Sequence, residues 1–252
     1  MDIYGFVVLG MIVGYLIGSI PFGVLIGKIF YKVDVRNFGS NNSGSTNVTR
    51  TLGVLPGTIT LLLDLIKGGL PGMIMYFIAT SSLQNSDNIK LLAQVDYTPI
   101  VYCATGLFAA IGHCSPIFAG FKGGKAVATA SGFLLFMNCK LATVVLVAYL
   151  AVLLITKIVS ISSMSAALLI MIVTFIPWFL DGYLFDLNNE LTTFILQFTI
   201  ISIALLLIYR HYPNIIRIIK KEEKKFKIWT STFKSTNWLF TVGLKPTLII
   251  AL

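Results

Sequence analysis

Between Gly112 and Lys125 the chain reads Gly-His-Cys-Ser-Pro-Ile-Phe-Ala-Gly-Phe-Lys-Gly-Gly-Lys, with two lysines around a Gly-Gly pair directly after an apolar run. Glycines let a backbone approach a ligand closely and turn its N–H groups inward, here at Gly123 and Gly124. Lys122 and Lys125 add compact charges suited to phosphate oxygens. Charge is costly inside a bilayer, so such a cluster at the edge of an apolar segment points to a functional site. The plainer alternative is a cytosolic loop with ordinary positive-inside lysines.

Three further segments carry polar chemistry where apolar residues surround them. Gly39 to Arg50 holds Ser40, Asn41, Asn42, Ser43, Ser45, Thr46, Asn47 and Thr49, so nearly every position offers a hydrogen-bonding group before the terminal arginine. A flexible linker is the bland interpretation. A polar loop that runs into an apolar span beside other polar loops is better read as part of a site. Leu63 to Pro71 places Asp64 and Lys67 three residues apart on one helical face, with Gly68 following. They can pair structurally, or Lys67 can serve a ligand; the spacing allows both. Finally Arg210-His211-Tyr212-Pro213-Asn214-Ile215-Ile216-Arg217 leaves the last apolar run. His211, Asn214 and Arg217 share a broad face if helical, and Pro213 fits the first turn of a new helix. Lys220 to Lys227 reads as attraction to anionic headgroups. Ser160, Ser162 and Ser163 are a lesser element, explicable as helix packing. A lone histidine such as His113 reads first as a structural residue, and the basic loop beside it gives it a catalytic reading as well.

The elements that position these residues follow from composition. The chain has 252 residues, 56% hydrophobic and only 12% charged, with a mean hydropathy of +0.88. Soluble domains carry about 25% charged residues, so this is an integral membrane protein. The net charge of +9 reports topology. Basic residues scattered over loops and one tail argue against a nucleic-acid partner. Cys103, Cys114 and Cys139 lack CxxC spacing, so neither a zinc site nor a disulfide framework is indicated. The N-terminus has no basic stretch and no Ala-x-Ala site follows, so the first apolar run reads as a retained span.

Long apolar runs cover Tyr4–Phe30, Ile59–Thr80, Leu141–Ile155, Ser163–Leu180 and Leu191–Tyr209, and a shorter pair, Thr98–Ile111 and Ala126–Met137, flanks the lysine loop. The expected fold is all-α, a polytopic membrane protein of about seven transmembrane helices, five long and two short. The short pair can also form a re-entrant hairpin, and either choice keeps the number of crossings odd. Lys28, Lys32, Arg36, Arg50, Lys122, Lys125, Lys157 and the basic tail fall on one side. Asp87, Asp96, Asp181, Asp186 and Glu190 fall on the other, with only Lys90 and Lys140. The positive-inside rule puts the N-terminus outside and the C-terminus in the cytoplasm, with every polar segment on the cytoplasmic face. Glycosylation at Asn41 or Asn47 is then excluded by compartment.

With these motifs in hand, the chain resembles the bacterial acyl-phosphate:glycerol-3-phosphate acyltransferases, the PlsY family, from Gly18-Ser19-Ile20-Pro21-Phe22-Gly23 to about Lys225. The shared motifs are Gly39 to Arg50, Asp64-x-x-Lys67-Gly68, Gly112-His113 through Lys122-Gly123-Gly124-Lys125 to Thr129, and the tail set Arg210, His211, Asn214, Arg217 and Glu223. The sequence departs at Asn41, Ala126, Ser162 and Lys221, where the family usually has glycine, and at Ser45, where alanine is usual. The resemblance implies acyl transfer from acyl phosphate to sn-glycerol 3-phosphate, giving 1-acyl-glycerol 3-phosphate (lysophosphatidate) and phosphate at the bacterial cytoplasmic membrane. It implies Arg50, Lys122, His211 and Asn214 as catalytic residues. Substrate binding would fall to Ser40, Asn42, Thr46, Asn47, Lys67, Gly68, His113, Gly123, Gly124, Lys125, Ser160, Arg210, Arg217 and Glu223. No metal or cofactor is expected. The partners are the two substrates and membrane lipids, with an enzyme upstream that makes acyl phosphate. Residues 1–227 would form the membrane acyltransferase domain and 228–252 an extension of unassigned role.

The chemistry fits the residue types. Two phosphate-bearing anions must meet in one pocket, and fixed cations must offset their repulsion. An acyl phosphate is already activated, so positioning can carry much of the rate, with His211 or the departing phosphate accepting the hydroxyl proton. Acyltransferases that take acyl-CoA generally show His-x4-Asp, whereas here Phe118 follows His113 and Ile216 follows His211 at that spacing. The rival is a transporter or binding protein for a phosphorylated metabolite. It should show paired inverted repeats and charge near mid-membrane, which these unlike, one-sided motifs do not.

Overall fold

The structure, a computed structural model, describes residues 2–84, 98–176, 184 and 190–225, and the described segments are built from helices and the turns between them. In chain order the helices are α1 (Ile3–Gly18), α2 (Phe22–Tyr31), α3 (Ser45–Leu52), α4 (Val54–Gln84) and α5 (Pro99–Cys114). They continue with α6 (Val127–Met137), α7 (Cys139–Thr156), α8 (Val159–Val173), α9 (Glu190–Arg210) and α10 (Tyr212–Ile219). The acidic residues Asp87, Asp96, Asp181 and Asp186, together with Lys90, Lys227 and the 228–252 extension, lie outside the described residues.

Among the described residues, five stretches are long and apolar enough to cross a bilayer: Ile3–Tyr31, Val54–Leu83, Pro99–Ala119, Cys139–Thr156 and Glu190–Arg210. The shorter apolar helices are Val127–Met137 and Val159–Val173. This reassigns two runs. The stretch beginning at Thr98, expected to be short, continues through Cys114 into a turn at Ile117–Ala119. The stretch from Ser163, expected to be long, gives a helix that begins at Val159 and ends at Val173. Large apolar side chains such as Leu154, Ile155, Ile172, Phe194 and Phe198 stand exposed along the helices, as a lipid-facing surface requires.

The first apolar run is not one helix. Pro21 has no N–H to donate, and the chain breaks at Ser19–Pro21 before restarting as α2. Such a break leaves backbone carbonyls without helical partners. Lys67 supplies one: its Nζ donates to Ile20 O at 2.9 Å and lies 2.6 Å from Asp64 Oδ1. It also sits 5.3 Å from the centre of the Phe22 ring.

Small residues set how closely the helices approach. Gly10, Gly14 and Gly18 line one face of α1 against α5, where a side chain at Gly14 or Gly18 would run into the backbone of Thr105 or Ala109. This is the small-residue packing by which membrane helices associate. Gly68 of α4 likewise meets the backbone of Thr129 on α6, and Gly132 of α6 meets Leu65. Tyr102 of α5 donates its hydroxyl to Phe133 O of α6 at 2.7 Å, so the largest buried ring in this region keeps its polar end satisfied. These contacts fix α1, α4, α5 and α6 against one another, and the polar loops emerge from their ends.

Candidate active site

Asn47 organises the first polar segment. It is fully buried in the first turns of α3, and its Oδ1 accepts from Ser40 N at 2.7 Å and Ser40 Oγ at 3.1 Å. Its Nδ2 donates to Val35 O, Asn42 O and Phe38 O at 2.8, 2.9 and 3.1 Å. Asn42 accepts from Gly44 N at 3.0 Å and donates to Ser40 Oγ at 3.2 Å. The segment is therefore a built loop followed by a short helix, not a linker. Thr46 lies half-buried at the start of α3, and Arg50 stands exposed on its last turn. Although its side chain reaches solvent, partial desolvation lowers the Arg50 guanidinium, opposed by Glu223 and reinforced by Arg217, but an arginine stays charged.

The lysine loop is held from both sides. Gly124 N donates to His113 O at 3.1 Å. A side chain at Gly123 would strike His113 O, and one at Gly124 the His113 ring. The two glycines are thus needed for packing against the end of α5. On the opposite side Arg210 donates from Nε to Gly124 O at 3.1 Å and from Nη2 to Gly123 O at 3.3 Å. Lys122 is exposed. Lys125 is half-buried and donates to Asn214 Oδ1.

The tail closes the cluster. Pro213 sits in the first turn of α10, which follows His211 as its N-cap residue and carries Asn214, buried, and Arg217 in its last turn. Glu223 accepts from Asn214 Nδ2 at 2.6 Å, Arg217 Nε at 2.7 Å and Ser160 Oγ at 2.8 Å. Burial raises its carboxyl, but the donors from Arg217, Asn214 and Ser160 outweigh that and hold it below its usual range. Burial is also the main reason Lys125 is depressed to about 8; Glu223 opposes this, while Arg217, Arg50 and Arg210 reinforce it. His211 is buried, and its Nδ1 donates to Leu207 O at 2.8 Å. Burial, then Lys125, bring it down to about 4. It is therefore neutral at physiological pH, with Nε2 carrying the lone pair.

Lys67 and His113 both lie beside Asp64. Lys67 is spent on Asp64 and Ile20 O, and Gly68 on packing against α6. His113 places Nδ1 3.6 Å from Asp64 Oδ1, behind the lysine loop. The sequence flagged Asp64 only as a partner for Lys67, yet it neighbours both groups. Lys224, read from sequence as a headgroup contact, donates to Gly39 O at 3.2 Å and ties the tail to the first loop. No local pattern signals that pairing across 185 residues.

Residues 8–221 match the family model described as glycerol-3-phosphate acyltransferase. The chain belongs to that family. Glycerol-3-phosphate acyltransferases from Bacillus subtilis (strain 168) and Listeria monocytogenes (serotype 4a, strain HCC23) are 40% and 39% identical over 217 and 216 residues. Each alignment covers 86% of this chain, with 96% and 94% of the respective relative. Among solved structures, PlsY, an integral membrane glycerol 3-phosphate acyltransferase in its glycerol 3-phosphate form, superposes with a TM-score of 0.70 at 33% identity. That match covers 88% of this chain and 96% of PlsY. Its lysophosphatidic acid form gives 0.68 at 32% identity, covering 88% and 95%.

Three of the four positions at which the sequence resemblance implies glycine adopt left-handed backbone: Asn41 (φ 54°), Ala126 (φ 58°) and Lys221 (φ 59°). The chain keeps the conformation that glycine would take freely and bears the strain of a Cβ there. At the fourth, Ser162, the hydroxyl turns back to Ile158 O at 3.0 Å.

Proposed function

We propose that this protein transfers a fatty acyl group from acyl phosphate to a hydroxyl of sn-glycerol 3-phosphate, forming lysophosphatidate and inorganic phosphate. The observation that carries the reading is the cation cluster. Arg50, Arg210 and Arg217 all lie within electrostatic reach of Lys125, with Glu223 the carboxylate among them. Lys122 follows three residues before Lys125 on the same loop. Surplus fixed cations in a partly buried site are what two phosphate-bearing substrates need.

In the transfer, the glycerol hydroxyl oxygen forms a bond to the acyl carbon and the bond from that carbon to the phosphate oxygen breaks. The hydroxyl proton leaves with the phosphate. His211, at about 4, is a weaker base than a phosphate whose second ionisation lies at about 6. The departing phosphate therefore takes the proton in this reading, and His211 Nε2 accepts a hydrogen bond that orients the attacking hydroxyl. Arg50, Lys122 and Lys125 hold the phosphates, with Ser40, Asn42, Thr46 and Arg217 at the rim. Asn214, Ser160, Glu223 and Asn47 keep those groups in place. The acyl chain stays against apolar helix surface.

We place residues 1–227 in one membrane domain of about seven helices, with an outer N-terminus and the site open to the cytoplasm, on the distribution of basic residues. The substrate must come from a reaction that makes acyl phosphate. The test is donor choice: purified protein should form lysophosphatidate from acyl phosphate and not from acyl-CoA or acyl carrier protein. A comparable rate with acyl-CoA would end this reading.

A further inference from the structure

Arg210 is the last residue of α9, yet its guanidinium reaches 86 and 87 residues back along the chain to two consecutive carbonyls, Gly124 O and Gly123 O. A planar guanidinium presents its donors in a fixed fork, so it can hold two neighbouring acceptors at once. The same peptide segment is fixed from behind by His113 O and by the ring of His113 lying where a side chain at Gly124 would go. The loop needs such fixing, because it is locally strained. Gly120, Phe121 and Ala126 are all left-handed, at φ 63°, 60° and 58°, and a bulky residue such as Phe121 adopts that region only when its surroundings impose it. Lys122 and Lys125 immediately flank the two clamped glycines.

We propose that Arg210 is a positioning residue for the acyl transfer: its fork fixes the Gly123–Gly124 peptides and so sets where Lys122 and Lys125 point. Its contribution runs through the loop and not through direct contact with a substrate phosphate. The inference rests on the acyl-transfer reading of this site. It explains why an arginine is wanted here, since a lysine ammonium carries the same charge but cannot span both carbonyls in one plane.

The experiment has an arm without substrate and an arm with it. In substrate-free protein in detergent, Arg210→Gln should be cut after Lys122 by a lysine-specific protease at least about fivefold faster than the unmodified chain. With acyl phosphate and glycerol 3-phosphate, Arg210→Lys should lower kcat/KM at least about tenfold despite keeping the charge. Combined with Lys125→Ala, it should add less than about threefold to the loss from Lys125→Ala alone. An unchanged cleavage rate, an Arg210→Lys activity within about threefold of the unmodified enzyme, or fully multiplicative losses would each overturn the clamp. Arg210→Lys keeps the stem and charge, so it carries the activity arm even if Arg210→Gln accumulates poorly. If the unmodified protein forms no lysophosphatidate, the acyl-transfer reading fails, while the protease arm still decides the clamp.

Discussion

Raising the pH from 7 to 9 should weaken glycerol 3-phosphate binding through Lys125. Burial, reinforced by Arg217, Arg50 and Arg210 and opposed by Glu223, places its ammonium at about 8 in the substrate-free protein. The charged fraction is then about nine-tenths at pH 7, half at pH 8 and a tenth at pH 9. A phosphate dianion binds the charged form and holds its proton, so affinity falls as pH rises through 8. If only the charged form binds, KM for glycerol 3-phosphate rises about tenfold between pH 7 and pH 9. His211, at about 4, titrates outside this window. Lys125→Arg keeps its charge throughout and should give a flat profile. The assay is KM at saturating acyl phosphate from pH 6.5 to 9.5, for both proteins. A flat profile in the unmodified protein, or the same midpoint in Lys125→Arg, refutes the assignment.

Lys122→Ala and Arg50→Ala should each lose a charge-assisted phosphate contact worth about 1.5–3 kcal/mol, or roughly ten- to a hundredfold in kcat/KM; near-normal activity at normal protein levels would mean that these cations only set topology. Gly124→Ala drives a methyl into the His113 ring, so kcat/KM should drop at least about tenfold while the membrane-inserted amount, read by immunoblot, stays normal. Cysteine labelling in a cysteine-free background should find positions near Asn42, Gly123 and Lys220 (Lys122 in place of the packed glycine) on the cytoplasmic side, and opposite responses near Asn42 and at Lys122 would rule out a composite site.

Patterns confined to one helical turn were legible from sequence. Asp64 and Lys67, three residues apart, do pair, and Pro213 does open α10. The long apolar runs did mark most of the helices. What the sequence concealed depends on residues far apart in the chain. Nothing in the unbroken apolar run from Tyr4 to Phe30 announces that Ile20 O will need Lys67, because Pro21 alone permits either a kink or a stop. The segment from Ser45 to Thr51 is rich in weak helix formers, and its helix rests on Asn47 binding the preceding loop and on Thr49 packing against Gly57. Glu223 entered the site only through the family resemblance, and no local pattern shows that Ser160 of α8 and Asn214 and Arg217 of α10 would all donate to it. Likewise the Gly-Gly pair suggested room for a ligand, and the structure fills that room with His113.

The central claim is that one cationic site couples acyl phosphate to glycerol 3-phosphate, and the most direct measurement is product balance in the purified protein. Given acyl phosphate alone, phosphate release should stay near the uncatalysed rate. Adding glycerol 3-phosphate should start phosphate release and lysophosphatidate formation together, in a one-to-one ratio within error. Phosphate release that ignores glycerol 3-phosphate, or uptake of glycerol 3-phosphate into vesicles without acylation, would contradict the account.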